Sequence, residues 1–531
     1  MDSRFRGNDR LCYYCSRVKN QENILVLSGI DYFVVIAYMV GILVLGLYFA
    51  RFVRSADDFF LSGKSLPFWV IGMSIVATDI SAMDFVGVAG QSYRFGVSVG
   101  NFDWLGSIPA MLLAAFIFIP YFWKAGVYTI PEYLGHRYND GVRAVASLTW
   151  IIFFALDVGV LFWATAVMLE PLMGWDPWFS IIVTAIVVGL YTFLGGLTAE
   201  VMNDVVQMIV MFVGGATVVV VGLYHAGGWG GLTDKIAAMG EAYRNHFELV
   251  QPADTKTPFP WTGILFGLTL VMSNAYMIGN QAIVQRCLAA RSVWHAKASM
   301  LCGAFFKMFI PMLVMFPGLI ALAMYPGMED GDQAFPTLVK NLLPPGLRGL
   351  LFAGLLAGLM STIDSILNST ATLWTKDVYQ RFIRKDASDH HYLVVGRLAT
   401  VILLIFGVIT APLSKLFPGI YVAIQTFLSF FQGPAFSVLL LGMFWRRATQ
   451  WGGLVGLVGG ISVAVLLFIF KGRLFTIEAP FLYISWWSFL AGVLLNVVVS
   501  MVTRPHPNGR LAGLVYGLPK VPQNSCEAVV C

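Results

Sequence analysis

Thirteen stretches of roughly twenty apolar residues follow one another along this chain, separated by short polar segments. They run over about 30–50, 66–90, 101–123, 143–170, 178–196, 202–224, 261–284, 297–325, 347–372, 391–411, 418–445, 452–470 and 482–503. Such a stretch is what a helix needs to cross the ~30 Å hydrocarbon core of a bilayer. The backbone finds no water there, so its polar groups must be satisfied within the helix. The pattern predicts an all-α polytopic membrane protein with about thirteen spans and no soluble domain. The segment 326–346, rich in Pro and Gly, is expected to hold a short helix. The tail from 504 is polar, contains Pro and is expected to be loose.

The five spans over 66–224 and the five over 261–445 form two halves, joined by a segment at 225–260. An extra first helix and loop (29–65) precede them, two extra helices (446–505) follow, and a tail occupies 506–531. Five is odd, so the second half enters the membrane from the opposite side. Inverted halves of this kind are common in secondary transporters, whose sites lie where helices unwind near the midplane. The first span of each half carries such weak points. One is Thr78-Asp79-Ile80-Ser81-Ala82-Met83-Asp84; the other is Ser273-Asn274-Ala275-Tyr276 followed by Gly279-Asn280-Gln281.

Composition agrees with the pattern. The chain is 58% hydrophobic and 12% charged, with a mean hydropathy of +0.75, against ~25% charged residues in soluble domains. Placement of charge says more than the net +5. One set of flanks carries 19 Lys and Arg and the other 9, which predicts an outside N-terminus and a cytoplasmic C-terminus. Residues 1–28 contradict this, with Arg4, Arg6, Arg10, Arg17 and Lys19 on the outer side. That segment is expected not to be part of the working protein. Its Cys12 and Cys15 form a lone CxxC, a weak metal signal without a second pair; Cys287 and Cys302 read as packing residues.

Ionisable residues at membrane depth are functional candidates by default. They are Asp79, Asp84, Asp103, Asp157, Lys307 and Asp364, with Asp204 near a helix start. A buried Lys307 needs a carboxylate, and Asp84 or Asp103 could supply it. A break between Asp79 and Asp84 would let both face one cavity. Asp364 lies close enough to the cytoplasmic interface to be solvated. The segment from Gly358 to Thr370 is dense in small hydroxyl residues, whose oxygens, with carbonyls freed at a helix break, suit a small hard cation such as sodium.

The residues resemble the sodium:solute symporter family, specifically the bacterial sodium/glucose (sodium/galactose) branch. The likeness rests on Asp58-Phe59-Phe60-Leu61-Ser62-Gly63-Lys64; Tyr128-Thr129-Ile130-Pro131-Glu132-Tyr133; and Gly195-Gly196-Leu197 with Asp204-Val205-Val206-Gln207. It continues in Asn280-Gln281 with Gln285-Arg286; Ser361-Thr362-Ile363-Asp364-Ser365 with Leu367-Asn368-Ser369; and Gly442-Met443-Phe444-Trp445. It extends from about 29 to about 505. The resemblance implies the five-plus-five inverted-repeat fold of the leucine transporter and residence in a bacterial inner membrane.

It also implies a sodium site of the Ala77, Ile80 and Gly358 carbonyls and the Ser361 and Thr362 hydroxyls. Asp204 would lie on the sodium exit route or at a second sodium. The implied substrate residues are Asp84, Asp103, Asn280, Lys307 and Gln425, with Asp79 and Asp157 as further candidates. Asp103 replaces the usual Glu, Asp84 stands where relatives have Gln or His, and Ala282 falls where sugar transporters have an aromatic inner gate. The expectation is a sodium-coupled importer of a monosaccharide or polyol, with sodium, the solute and the bilayer as partners, no nucleic acid and no enzymatic activity. Another solute (an amino acid, sialic acid or another carboxylate) or proton coupling remains open.

Overall fold

The computed structural model describes residues 27–51, 56–81, 83–417, 419–477 and 479–518. The segment before residue 27, with Cys12 and Cys15, and the tail beyond 518 lie outside the described residues. The membrane helices are α1 (Gly29–Ala50), α2 (Phe68–Asp79), α3 (Asp84–Ala125), α4 (Asp140–Met173), α5 (Pro177–Ala226), α6 (Gly263–Gly279) and α7 (Gln281–Leu288). They continue with α8 (Val293–Met324), α9 (Leu347–Ile383), α10 (Asp389–Leu416), α11 (Ile420–Phe444), α12 (Gln450–Ile469) and α13 (Phe481–Val502).

All thirteen expected stretches are helical, but they are divided differently. The stretch 66–90 is split into α2 and the start of α3, and 261–284 into α6 and α7, which meet at 50°. The stretches 178–196 and 202–224 are one helical run, α5, of 50 residues. Straight, it would span about 75 Å, over twice the hydrocarbon core, so two crossings require it to turn. Among the described residues, ten helices pass as membrane spans by length and apolarity, or eleven with the α6–α7 pair.

The breaks fall where the sequence is poorest in helix formers. At the first, Ile80 is extended (φ −97°, ψ 117°); at the second, Asn280 is (φ −70°, ψ 119°). Around the first break pack α5, α8 and α9, while α11, α12 and α13 pack on one another. The α1 start is pinned to α9: Asp31 accepts the amides of Gly346 and Gly349, both at 2.7 Å. The segment 326–346 holds the helix Ala334–Leu342.

The tail is not loose as far as residue 518. Leu511 and Val515 are buried, the Tyr516 amide donates to the Met443 carbonyl at 2.8 Å, and the Arg510 Nη2 to that of Tyr138 at 3.0 Å. Its few apolar residues suffice because the last turn of α11 offers carbonyls left without helical partners, one of which takes the Tyr516 amide.

In the turn before Ala334–Leu342, Asp332 is 5% exposed and its Oδ2 accepts the Ile420 amide at 2.9 Å, at the start of α11. Burial pushes its carboxyl up to about 7, with Asp330 adding to the rise and Arg94 opposing it. The folded state therefore holds this proton more tightly than the unfolded chain. The stabilisation is complete below the unfolded value of 3.8 and is lost as pH rises through about 7. The melting temperature of the purified protein is expected to fall more steeply across that window than that of Asp332→Asn. Identical profiles would refute the assignment.

Candidate functional site

The first break is built by side chains that capture backbone amides. In an unbroken helix the Ser81 amide would bond the Ala77 carbonyl, and the Asp84 amide that of Ile80. Here the Ser81 amide donates to Asp84 Oδ2 at 2.8 Å. The Asp84 amide turns to the Ser81 carbonyl at 3.1 Å, and the Met83 amide to Ser81 Oγ at 3.1 Å. The Ala77 and Ile80 carbonyls are thereby released from the helix ladder.

Helix α9 lies hard against this break. A Cβ added at Gly358 would stand 2.7 Å from Met211 Sδ and 3.1 Å from the Ile80 carbonyl oxygen. Thr362 Oγ1 donates to the Thr78 carbonyl at 2.8 Å and to the Gly358 carbonyl at 3.0 Å. Ser361, one residue earlier, points to the far side of the seam, where its Oγ donates to Asp204 Oδ1 at 2.5 Å. The released Ile80 carbonyl thus lies beside Gly358, whose carbonyl meets the Thr362 hydroxyl, oxygens of the type that hard cations take, while the Ser361 hydroxyl is engaged by Asp204.

A cavity of about 110 Å³ adjoins the seam. Asp79, Asp84, Asp103, Asp157, Lys307, Gln425 and Thr362 line it, with Phe153, Leu161, Leu268 and Met272 among its apolar walls. Asp84 and Asp103 both sit in π-type turns, Asp84–Val88 and Phe102–Ser107; such turns are frequent at functional sites. Lys307 is 4% exposed and is clasped by Asp79 and by Asp103 Oδ1, the latter at 2.6 Å.

Several expected residues are placed differently. Asp84 is not the partner of Lys307. It caps the start of α3 through the Ser81 amide and hydroxyl, at 2.8 and 3.1 Å, while Asp79, at the cut end of α2, takes the lysine. Asn280 does not line the cavity; a helix start needs a cap, and its Oδ1 accepts the Ala282 amide at 2.9 Å. Asp204 also lies outside the cavity, behind Ser361. Asp364 is 2% exposed rather than solvated. Asp157 lines the cavity and makes no hydrogen bond or ion pair to a described residue.

The sequence reading placed Arg286 and Asp204 in separate motifs and did not join them with Glu200 in one buried group. The Arg286 guanidinium is 1% exposed and holds Glu200, Asp204 Oδ2 at 3.2 Å, Ser74 Oγ at 2.7 Å and Ser365 Oγ at 2.5 Å. Asn368 joins through Glu200 Oε2 at 3.0 Å. The available signal was the position of Arg286 inside a recognisable motif. Motif residues also meet one another. Gln281 bonds the Tyr128 carbonyl at 3.0 Å and the Ile130 amide at 3.1 Å; Gln285 bonds the Phe60 carbonyl at 2.7 Å and Thr372 Oγ1 at 3.1 Å.

A released pair of carbonyls, two neighbouring hydroxyls and a polar cavity beside them suit coupled binding of a cation and a small solute. The comparisons agree. The profile of the sodium:solute symporter family matches residues 59–460. The sodium/glucose cotransporter of Vibrio parahaemolyticus is 31% identical over 90% of this chain and 91% of its own. The sodium/myo-inositol cotransporter 2 of Oryctolagus cuniculus is 30% identical over 92% and 78%. A solved Na+-coupled sialic acid symporter, substrate-bound and outward-open, superposes with a TM-score of 0.80 at 23% identity, covering 90% of this chain and 99% of that one. This likeness carries the inverted-repeat fold expected from the resemblance. The chain is a multi-pass membrane protein and a sodium-coupled solute transporter rather than an enzyme: it belongs to the sodium:solute symporter family.

Proposed function

We propose that this chain imports a small hydroxylated solute, a monosaccharide or polyol, together with sodium by alternating access across a bacterial inner membrane. The observation that carries the reading is the adjacency of the first break, the Ser361–Thr362 hydroxyls and the cavity holding Lys307, Asp103 and Gln425. Relatives named for glucose and myo-inositol cotransport support the solute class.

In this reading sodium binds at the carbonyls of Ala77, Ile80 and Gly358 and the hydroxyls of Ser361 and Thr362. Because those groups join α2 to α9, bound sodium holds the two helices in register and orders Asp79 beside the solute. Sodium and solute then raise each other's affinity by the same factor. In this reading the N-terminus is outside and the C-terminus cytoplasmic, and an inside-negative membrane potential drives the inward sodium step by ~2.3 kcal/mol per charge per 100 mV. Asp204, bonded to Ser361, receives the ion on its way inward.

The test is uptake in proteoliposomes of labelled glucose, galactose, myo-inositol, proline and sialic acid, with and without an inward sodium gradient. Sodium-dependent uptake of a neutral sugar or polyol is the expected outcome; uptake of only proline or sialic acid would overturn the solute class, and uptake following pH but not sodium would overturn the ion site. Thr362→Ala removes one of the five oxygens and is expected to raise the half-saturating sodium concentration by roughly tenfold, ~1.4 kcal/mol for one lost ion–oxygen contact. An unchanged sodium dependence would remove Thr362 from the site.

A further inference from the structure

The cavity contains four carboxylates, Asp79, Asp84, Asp103 and Asp157, and one ammonium, Lys307. Asp79 and Asp103 share Lys307, and Asp84 is bonded to the Ser81 amide and hydroxyl. Asp157, on α4, has no such partner among the described residues. A carboxylate at membrane depth is costly unless it finds a cation.

A second, independent group in the same cavity lacks a donor. Gln432 lines it, is 2% exposed, and its Oε1 has no hydrogen-bond partner among the described residues. An unpaired buried acceptor costs about 1–3 kcal/mol. Gln432 follows Gln425 by two turns of α11 and so shares its face, and Tyr421 and Leu428 continue the same stripe along the cavity.

We propose that the transported solute carries a protonated amine and that Asp157 is the group that binds it, with Gln432 accepting a further N–H or O–H from the same molecule. The ligand class is a small hydroxylated cation, such as an amino sugar or an amino-polyol. This rests on the reading above that the cavity is the solute's site. A solute ammonium supplies the donor that both groups lack, and a charge-assisted bond to Asp157 is the stronger of the two. Lys307 and Asp103 remain for the hydroxyls.

The experiment is sodium-driven uptake in proteoliposomes by the full chain, with probes differing only at the amine: glucose, glucosamine and N-acetylglucosamine, and myo-inositol against an amino-inositol. Expected are KM values about tenfold lower for the amines than for their neutral partners, with N-acetylglucosamine behaving as glucose. Asp157→Asn should abolish the amine preference, raising the amine KM about tenfold relative to that of its neutral partner, and Asp157→Glu should keep the preference. A parent that treats amine and neutral probe alike, or an Asp157→Asn variant that shifts both KM values equally, overturns the proposal while the symport reading stands. Absence of sodium-dependent uptake for every pair overturns both. Melting of Asp157→Asn with and without sodium shows whether the variant is folded; if it is not, the parent's amine preference decides alone.

Discussion

Arg286→Met is expected to unfold at a markedly lower temperature than the parent chain and to be recovered from membranes in a small fraction of its yield. The guanidinium is 1% exposed, and the side chains it neutralises, Glu200 and Asp204, are 5% and 1% exposed. Removing it leaves two carboxylates buried without a counter-ion, together with the hydroxyls of Ser74 and Ser365. Removing one partner of a buried pair typically costs ~3–5 kcal/mol. Melting in detergent, followed by tryptophan fluorescence, measures it; a melting temperature close to the parent's would show that the group is not an ion pair of consequence. Because the residues share one network, their effects are not additive. Adding Glu200→Gln to Arg286→Met removes one orphaned charge and is expected to restore part of the loss.

Lys307→Gln is expected to cost uptake rather than folding. Lys307 stands in the cavity wall between Asp79 and Asp103, so its ammonium both neutralises them and offers a donor to the solute. Loss of a hydrogen bond from a charged group is worth ~1.5–3 kcal/mol, or about 10- to 150-fold in kcat/KM. Initial rates of sodium-driven uptake read it. The double variant Lys307→Gln, Asp79→Asn removes one negative charge in compensation. If Lys307 served only to neutralise Asp79, the double variant would recover the parent's kcat/KM; if Lys307 contacts the solute, it stays impaired.

The places where the sequence reading succeeded and failed follow the range of the interactions. The first break was legible at Thr78–Asp84 because its cause is local: Ser81 and Asp84 sit within reach of their own backbone amides. The second was legible in Gly279-Asn280 for the same reason. Of the two partners expected for Lys307, Asp103 holds it and Asp84 does not, because the local bond to Ser81 competes for the Asp84 carboxylate. Asn280 lies outside the cavity lining, where the helix start left by the break claims its Oδ1. The burial of Arg286 was not legible, because a position near the end of a span does not say whether the neighbouring helices cover it. Glu200, which covers it, is 86 residues away.

The sequence by itself determined the number and place of the apolar stretches, the two points where helices break, and the hydroxyl-rich segment that faces the first of them. These depend on length, side-chain hydrophobicity and contacts within a turn or two. Tertiary structure alone decided which carboxylates hold Lys307, that Asp157 and Gln432 Oε1 stand at the cavity without partners among the described residues, and that Arg286 is sealed in a buried cluster. Each of these joins or separates side chains tens to hundreds of residues apart, and at membrane depth the cost of an unpaired charge makes such pairings depend on which helices pack together.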